Sequence, residues 1–143
     1  MKLNRKIING LEDIRETRGV MKRIMVVDDL PDQIFTAKTA LQNLDEKFEV
    51  IGAGNGEECL EMLNNGDVPD MIISETRMQG MTGRELPDKL KENPAWQDIP
   101  MMFLTVWKDR FERNSDFPCN DYIEKPVDAE ELKKRIDKVL KKQ

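Results

Sequence analysis

Arg23-Ile24-Met25-Val26-Val27-Asp28-Asp29 is the stretch that decides the fold. Four apolar residues in a row leave no polar face for solvent, and the run stops abruptly at two acids. A central strand of a parallel sheet, buried on both faces, has this pattern. Pro31 then opens a helical stretch, with Ile34, Ala37, Leu41 and Leu44 at helical spacing. The same alternation recurs downstream. Phe48 to Ala53 reads as a second strand, closed by Gly52, Gly54 and Asn55-Gly56 turn chemistry. Cys59, Met62 and Leu63 mark a short helix that stops at Asn64-Asn65-Gly66. Met71-Ile72-Ile73-Ser74-Glu75 is a third apolar strand ending in an acid. Leu86 and Leu90 suggest a helix in which Pro87 is tolerable only in the first turn. Met101-Met102-Phe103-Leu104-Thr105 is the fourth strand, and Tyr122-Ile123 a brief fifth that runs into Glu124-Lys125-Pro126. The last helix carries Ala129, Leu132, Ile136 and Val139 on one face, with Glu130/Lys134 and Glu131/Arg135 as i,i+4 pairs. Residues 107–120 show no clean pattern.

Five rounds of strand and helix argue for a parallel sheet covered on both faces. Right-handed crossovers make it a doubly wound sandwich. The fold expected is α/β and is taken as a flavodoxin-like five-stranded sheet, whose order is 2-1-3-4-5. The body spans residues 22–143. Residues 1–21 form an extension, in which Leu3, Ile7, Leu11 and Ile14 fall at the spacing of an amphipathic helix. That helix is too short to be stable unless it packs on something.

Composition narrows the function. The 143 residues make one ordinary domain, 38% hydrophobic and 36% charged. No apolar run approaches the ~20 residues of a membrane helix, and no secretory leader is visible. A net charge of −5 makes a poor general binder of nucleic acid or anionic lipid. Histidine is absent, which removes His-dependent triads, His metal sites and a phosphohistidine relay within this chain. Cys59 and Cys119 stand alone and read as reduced thiols of a cytoplasmic protein.

In open α/β sheets, ligands bind beyond the carboxyl ends of the strands, where the winding reverses. Here those ends carry Asp28 and Asp29 (strand one), Glu75 (strand three), Thr105 (strand four) and Lys125 (strand five). In the order 2-1-3-4-5 the Asp pair neighbours Glu75. An Asp-Asp pair alone is more often a turn or helix cap than a metal site. Joint placement at four strand ends favours the functional reading. Clustered carboxylates repel, and a divalent cation or Lys125 would relieve them. Oxygen ligands without His or Cys suit Mg²⁺.

These residues resemble the receiver domain of two-component response regulators over about residues 22–143. The marks are Met25-Val26-Val27-Asp28-Asp29, Pro69-Asp70-Met71-Ile72-Ile73, Met78-Gln79-Gly80-Met81-Thr82-Gly83, Ile99-Pro100 leading to Leu104-Thr105, and Asp121-Tyr122-Ile123-Glu124-Lys125-Pro126. The resemblance implies that Asp28 and Asp29 hold Mg²⁺, with Asp29 the more direct ligand and the backbone carbonyl of Arg77 a further one. It makes Thr105 the phosphate-binding hydroxyl, Lys125 the phosphate-pairing lysine and Tyr122 the switch aromatic. It also implies a cis Lys125-Pro126 bond, a histidine kinase or phosphotransfer protein upstream and an unidentified protein target downstream. The output surface implied is the family's fourth helix (within 107–120), its fifth strand and its last helix, which could also pair two copies in a homodimer.

One departure matters most. Where the family carries its phosphoacceptor aspartate, this chain has Glu75; Ser74 points to the opposite face. Glutamate reaches roughly 1.5 Å farther, and in-line transfer is sensitive to errors of that size. Little or no phosphotransfer is expected, and any Mg²⁺ site should be weakened or altered. Glu75 could imitate part of a phosphorylated side chain, or simply pair with Lys125. Gln79, Thr82 and Val106 also depart from the family pattern. With no effector domain after the last helix, the expectation is a stand-alone, non-enzymatic pseudo-receiver that signals by binding protein. Two alternatives remain: a conventional Mg²⁺-dependent receiver into which Glu75 was introduced, and a phosphohydrolase-like enzyme of the same fold. A flavodoxin-like cofactor carrier would need a phosphate-cradling loop after strand one, and Asp28-Asp29-Leu30-Pro31 is acidic and without glycine.

Overall fold

All four strand contacts are parallel, and the sheet runs β2-β1-β3-β4-β5. In this computed structural model the residues described are 21–44, 48–76, 85–105, 121–125 and 128–141. The elements follow in chain order as β1 (Lys22–Val27), α1 (Pro31–Leu44), β2 (Phe48–Ala53), α2 (Gly56–Asn64) and β3 (Met71–Glu75). Then come α3 (Glu85–Lys91), β4 (Met101–Thr105), β5 (Asp121–Glu124) and α4 (Ala129–Lys141). This is the doubly wound, flavodoxin-like order expected. The amphipathic stretch in residues 1–20, Arg77, Gln79, Thr82, Val106, residues 107–120 and the peptide bond to Pro126 lie outside the described residues.

The unbroken apolar runs follow from two-sided burial. Ile24 and Val26 enter one core with Met71, Ile73, Met102, Leu104 and Ile123. That core is closed by Leu41 of α1 and by Leu132, Ile136 and Val139 of α4. Met25 and Val27 point the other way, joining Ile72, Met101 and Phe103 beneath Cys59 and Leu63 of α2 and Leu86 and Leu90 of α3. A central strand that feeds two cores has no position to spare for a polar residue.

Local signals set the helix ends. The Asn55 side chain accepts a hydrogen bond from the Glu58 N–H at 2.7 Å, capping α2. Past its far end Gly66 takes a left-handed φ of 95°, where a side chain would be strained. Pro87 lies in the first turn of α3, where its missing N–H costs nothing. Gly52 differs from the sequence reading: it sits inside β2 and does not close it. A Cβ there would lie 2.5 Å from Cγ2 of Ile34, so glycine lets α1 approach the edge strand closely.

Candidate functional site

Register brings the strand ends together. Val27 pairs with Ser74, Glu75 with Leu104, and Thr105 with Glu124. One residue further along, Asp28 therefore comes level with Glu75, and Lys125 leaves β5 beside the end of β4. Ser74 shares the face of Ile72, away from Glu75; it is fully buried, and its hydroxyl donates to the Glu75 carbonyl at 2.9 Å.

Asp28, only 5% exposed, is held at three points. Its N–H donates to the Ala53 carbonyl at 3.1 Å. Oδ1 accepts from the Leu30 N–H at 3.0 Å, a local turn that steers the chain into α1. Oδ2 accepts from Lys125 Nζ at 3.3 Å. Glu75 is held equally firmly. Oε2 lies 2.6 Å from Lys125 Nζ. Oε1 accepts from the Thr76 N–H at 2.8 Å and from the Thr76 hydroxyl at 3.1 Å. Lys125 thus bridges two carboxylates, with little of any of the three side chains open to solvent.

Burial pulls the Lys125 ammonium toward its neutral form. The hydrogen bond and charge of Glu75, and then the charge of Asp28, outweigh that pull, and its pKa ends above the ordinary 10.5. Lys125 is therefore charged at any physiological pH. Cys59, by contrast, is buried on the core face of α2 and its thiol is pushed up to about 12, which leaves it an inert core residue.

The expected constellation is met in part. Lys125 touches both Asp28 and Glu75, and Asp29, next in the chain, is half-exposed. Thr105 ends β4 on the same edge, by backbone register; its side chain and Arg77 lie outside the described residues. Tyr122 pairs with Phe103 in β5 and is half-buried against the α2/α3 core. As hard oxygen donors, Asp28 and Asp29 are the right class for Mg²⁺. Among the described residues, no group of three or more Asp, Glu, His or Cys side chains is placed to hold a metal ion. Two features escaped the sequence reading. Thr76 fixes the outer oxygen of Glu75, and its only signal was adjacency. A cavity of about 440 Å³ opens behind the cluster, between the sheet, α1 and α4. Nothing in a linear pattern announces a gap of that kind.

Compared with known proteins, residues 24–137 match the response regulator receiver domain. The chain belongs to that family. Among curated relatives it is 38% identical over 100 residues to a probable transcriptional regulator, ycf29, of Pyropia yezoensis, covering 68% of this chain and 44% of the relative. It is 29% identical over 136 residues to a probable cyclic di-GMP phosphodiesterase of Vibrio cholerae, covering 94% of this chain and 29% of the relative. The chain thus spans less than half the length of either relative. Among solved structures it resembles the response regulator TrrA of Thermotoga maritima, in complex with Mg²⁺-BeF. That match has 30% identity and a TM-score of 0.72, over 82% of this chain and 98% of that one. The receiver-type sheet and helix order is thereby shared with proteins of two-component signalling. Among the described residues no helix is long and apolar enough to cross a membrane.

Proposed function

We propose that this receiver domain does not accept phosphate and passes its signal on through protein contacts that need no phosphoryl group. The observation that carries the reading is the 2.6 Å contact between Glu75 Oε2 and Lys125 Nζ. Glu75 stands where the family's phosphoacceptor aspartate belongs, and Lys125 where the family's phosphate-pairing lysine belongs. The extra methylene lets the carboxylate reach the lysine directly. The lysine's charge is then already matched, and the oxygen that would attack phosphorus is turned into an ion pair. In-line transfer needs that nucleophile placed within a fraction of an ångström.

The same contact favours a second reading, that Glu75 imitates the phosphorylated state. It brings negative charge to the lysine that a phosphoryl group would engage. Charge alone shifts a two-state domain only if the two states bind it differently. On either reading Asp28, Asp29 and the Arg77 carbonyl would be the ligands of a weakened Mg²⁺ site, Thr105 and Tyr122 the switch pair, and a histidine kinase or phosphotransfer protein the upstream partner. The output surface would be the region 107–120, β5 and α4.

Beryllofluoride, a phosphoryl mimic, tests this. Amide NMR spectra of the protein with Mg²⁺ are expected not to change when beryllofluoride is added. Saturable shifts at Asp28, Glu75 and Tyr122 would overturn the reading, because they would mean that a phosphoryl-like group still fits.

A further inference from the structure

The cavity behind the charged cluster has a distinct shape. Val26, Ile73, Leu104, Ala37, Ala40 and Leu132 give it apolar walls. Small residues on α1 leave the space: two alanines face a sheet whose own side chains are Val, Ile and Leu. At one end stand Asp28, Glu75 and Lys125. These bring two negative charges and one positive, a net of −1. Glu75 Oε1 already accepts two hydrogen bonds from Thr76, whereas Asp28 Oδ2 and Glu75 Oε2 each accept one from Lys125 and have room for a second donor. A pocket of this volume, apolar in body and polar at one end, is of the kind that holds small ligands.

From these features we infer that the cavity binds a small apolar molecule carrying a primary ammonium group, its body between α1 and the sheet and its cation shared by Asp28 and Glu75. Lys125 cannot satisfy both carboxylates fully, being at 2.6 Å from one and 3.3 Å from the other. A second cation at Asp28 Oδ2 would complete the charge balance. A carboxylate ligand would meet two like charges and a lysine already engaged. This goes beyond the proposed signalling role and stands apart from it: phosphate acceptance and amine binding are read out separately, so either can fail alone.

The test is calorimetric titration of the intact protein at neutral pH with 2-phenylethylamine, 2-phenylethanol and 3-phenylpropionate. The amine should bind saturably, and the alcohol about tenfold more weakly, as expected for loss of one charge-assisted hydrogen bond. The carboxylate should not bind. Ala40→Leu fills the cavity and should abolish binding of the amine while the protein still melts cooperatively. Should that variant fail to fold, Ala37→Val, which adds less volume, must weaken the amine by about tenfold. Absence of amine binding, equal binding of the carboxylate, or undiminished binding by a folded cavity-filling variant would each overturn the inference.

Discussion

Lys125 has one positive charge and two carboxylates to serve, and this shapes what can be expected residue by residue. Its pKa is raised, so its contribution to stability is complete below the ordinary value of 10.5 and is lost as pH rises through the higher folded value. Urea titrations of the wild type and of Lys125→Met should therefore differ by a constant amount up to about pH 10, and the gap should close above that. A gap that closes already near neutral pH would contradict the arrangement. At pH 7, removing the ammonium leaves Asp28 and Glu75 as unrelieved neighbours, so Lys125→Met should be less stable by about 2 kcal/mol. Much of this site was legible in the linear sequence. Asp28, Glu75 and Lys125 each stand at or just past the end of a strand, and only the strand order was needed to bring them together. The choice of partner was not legible. Whether Glu75 reaches Lys125 or stands clear of it depends on distances of about an ångström, which no spacing rule carries.

At the level of elements, the contact between α1 and β2 rests on an absent side chain. Gly52→Ala places a Cβ 2.5 Å from Cγ2 of Ile34, a methyl on a branched Cβ whose rotamer is restricted. Chemical denaturation should show a loss of about 1–3 kcal/mol. Pairing it with Ile34→Ala should recover part of that loss, since the clashing methyl is gone; strictly additive losses would refute the contact. In the core that α1 also closes, Ile136 of α4 is fully buried against β1, β3 and β4. Ile136→Ala should cost about 2–5 kcal/mol. Periodicity predicted α4 well, because Leu132, Ile136 and Val139 repeat along a helix whose other positions, Ala129 and Leu140 apart, are charged. Gly52 was misread as turn chemistry because glycine after a strand and glycine inside one look alike in sequence. The difference lies in what packs above it.

For the whole molecule, one sheet separates two cores, and every central strand belongs to both. Neither core can be lost alone without stripping one face of β1, β3 and β4. Unfolding should accordingly be a single transition. Helical circular dichroism and the fluorescence of Trp96, which packs against the α2/α3 core, should give coincident urea curves in a Trp107→Phe background. Separate midpoints would mean that the two layers are independent. The layering of strands and helices was within reach of the sequence, but the apolar runs mark interior strands without ordering them, and the order 2-1-3-4-5 rested on the flavodoxin-type pattern. The apolar cavity was not within reach, because the gap left by Ala37 and Ala40 appears only once α1 is laid on the sheet. On the reading proposed above, Glu75 at this convergence of strand ends is the residue that decides whether the domain accepts phosphate. The most direct measurement is intact mass after incubation with Mg²⁺ and a small acyl-phosphate donor, with Glu75→Asp alongside the wild type. The account predicts that the wild type gains no phosphoryl group and that Glu75→Asp does, because shortening the side chain withdraws the carboxylate from Lys125 and restores a nucleophile beside Asp28. A phosphoryl group on the wild-type protein would contradict it.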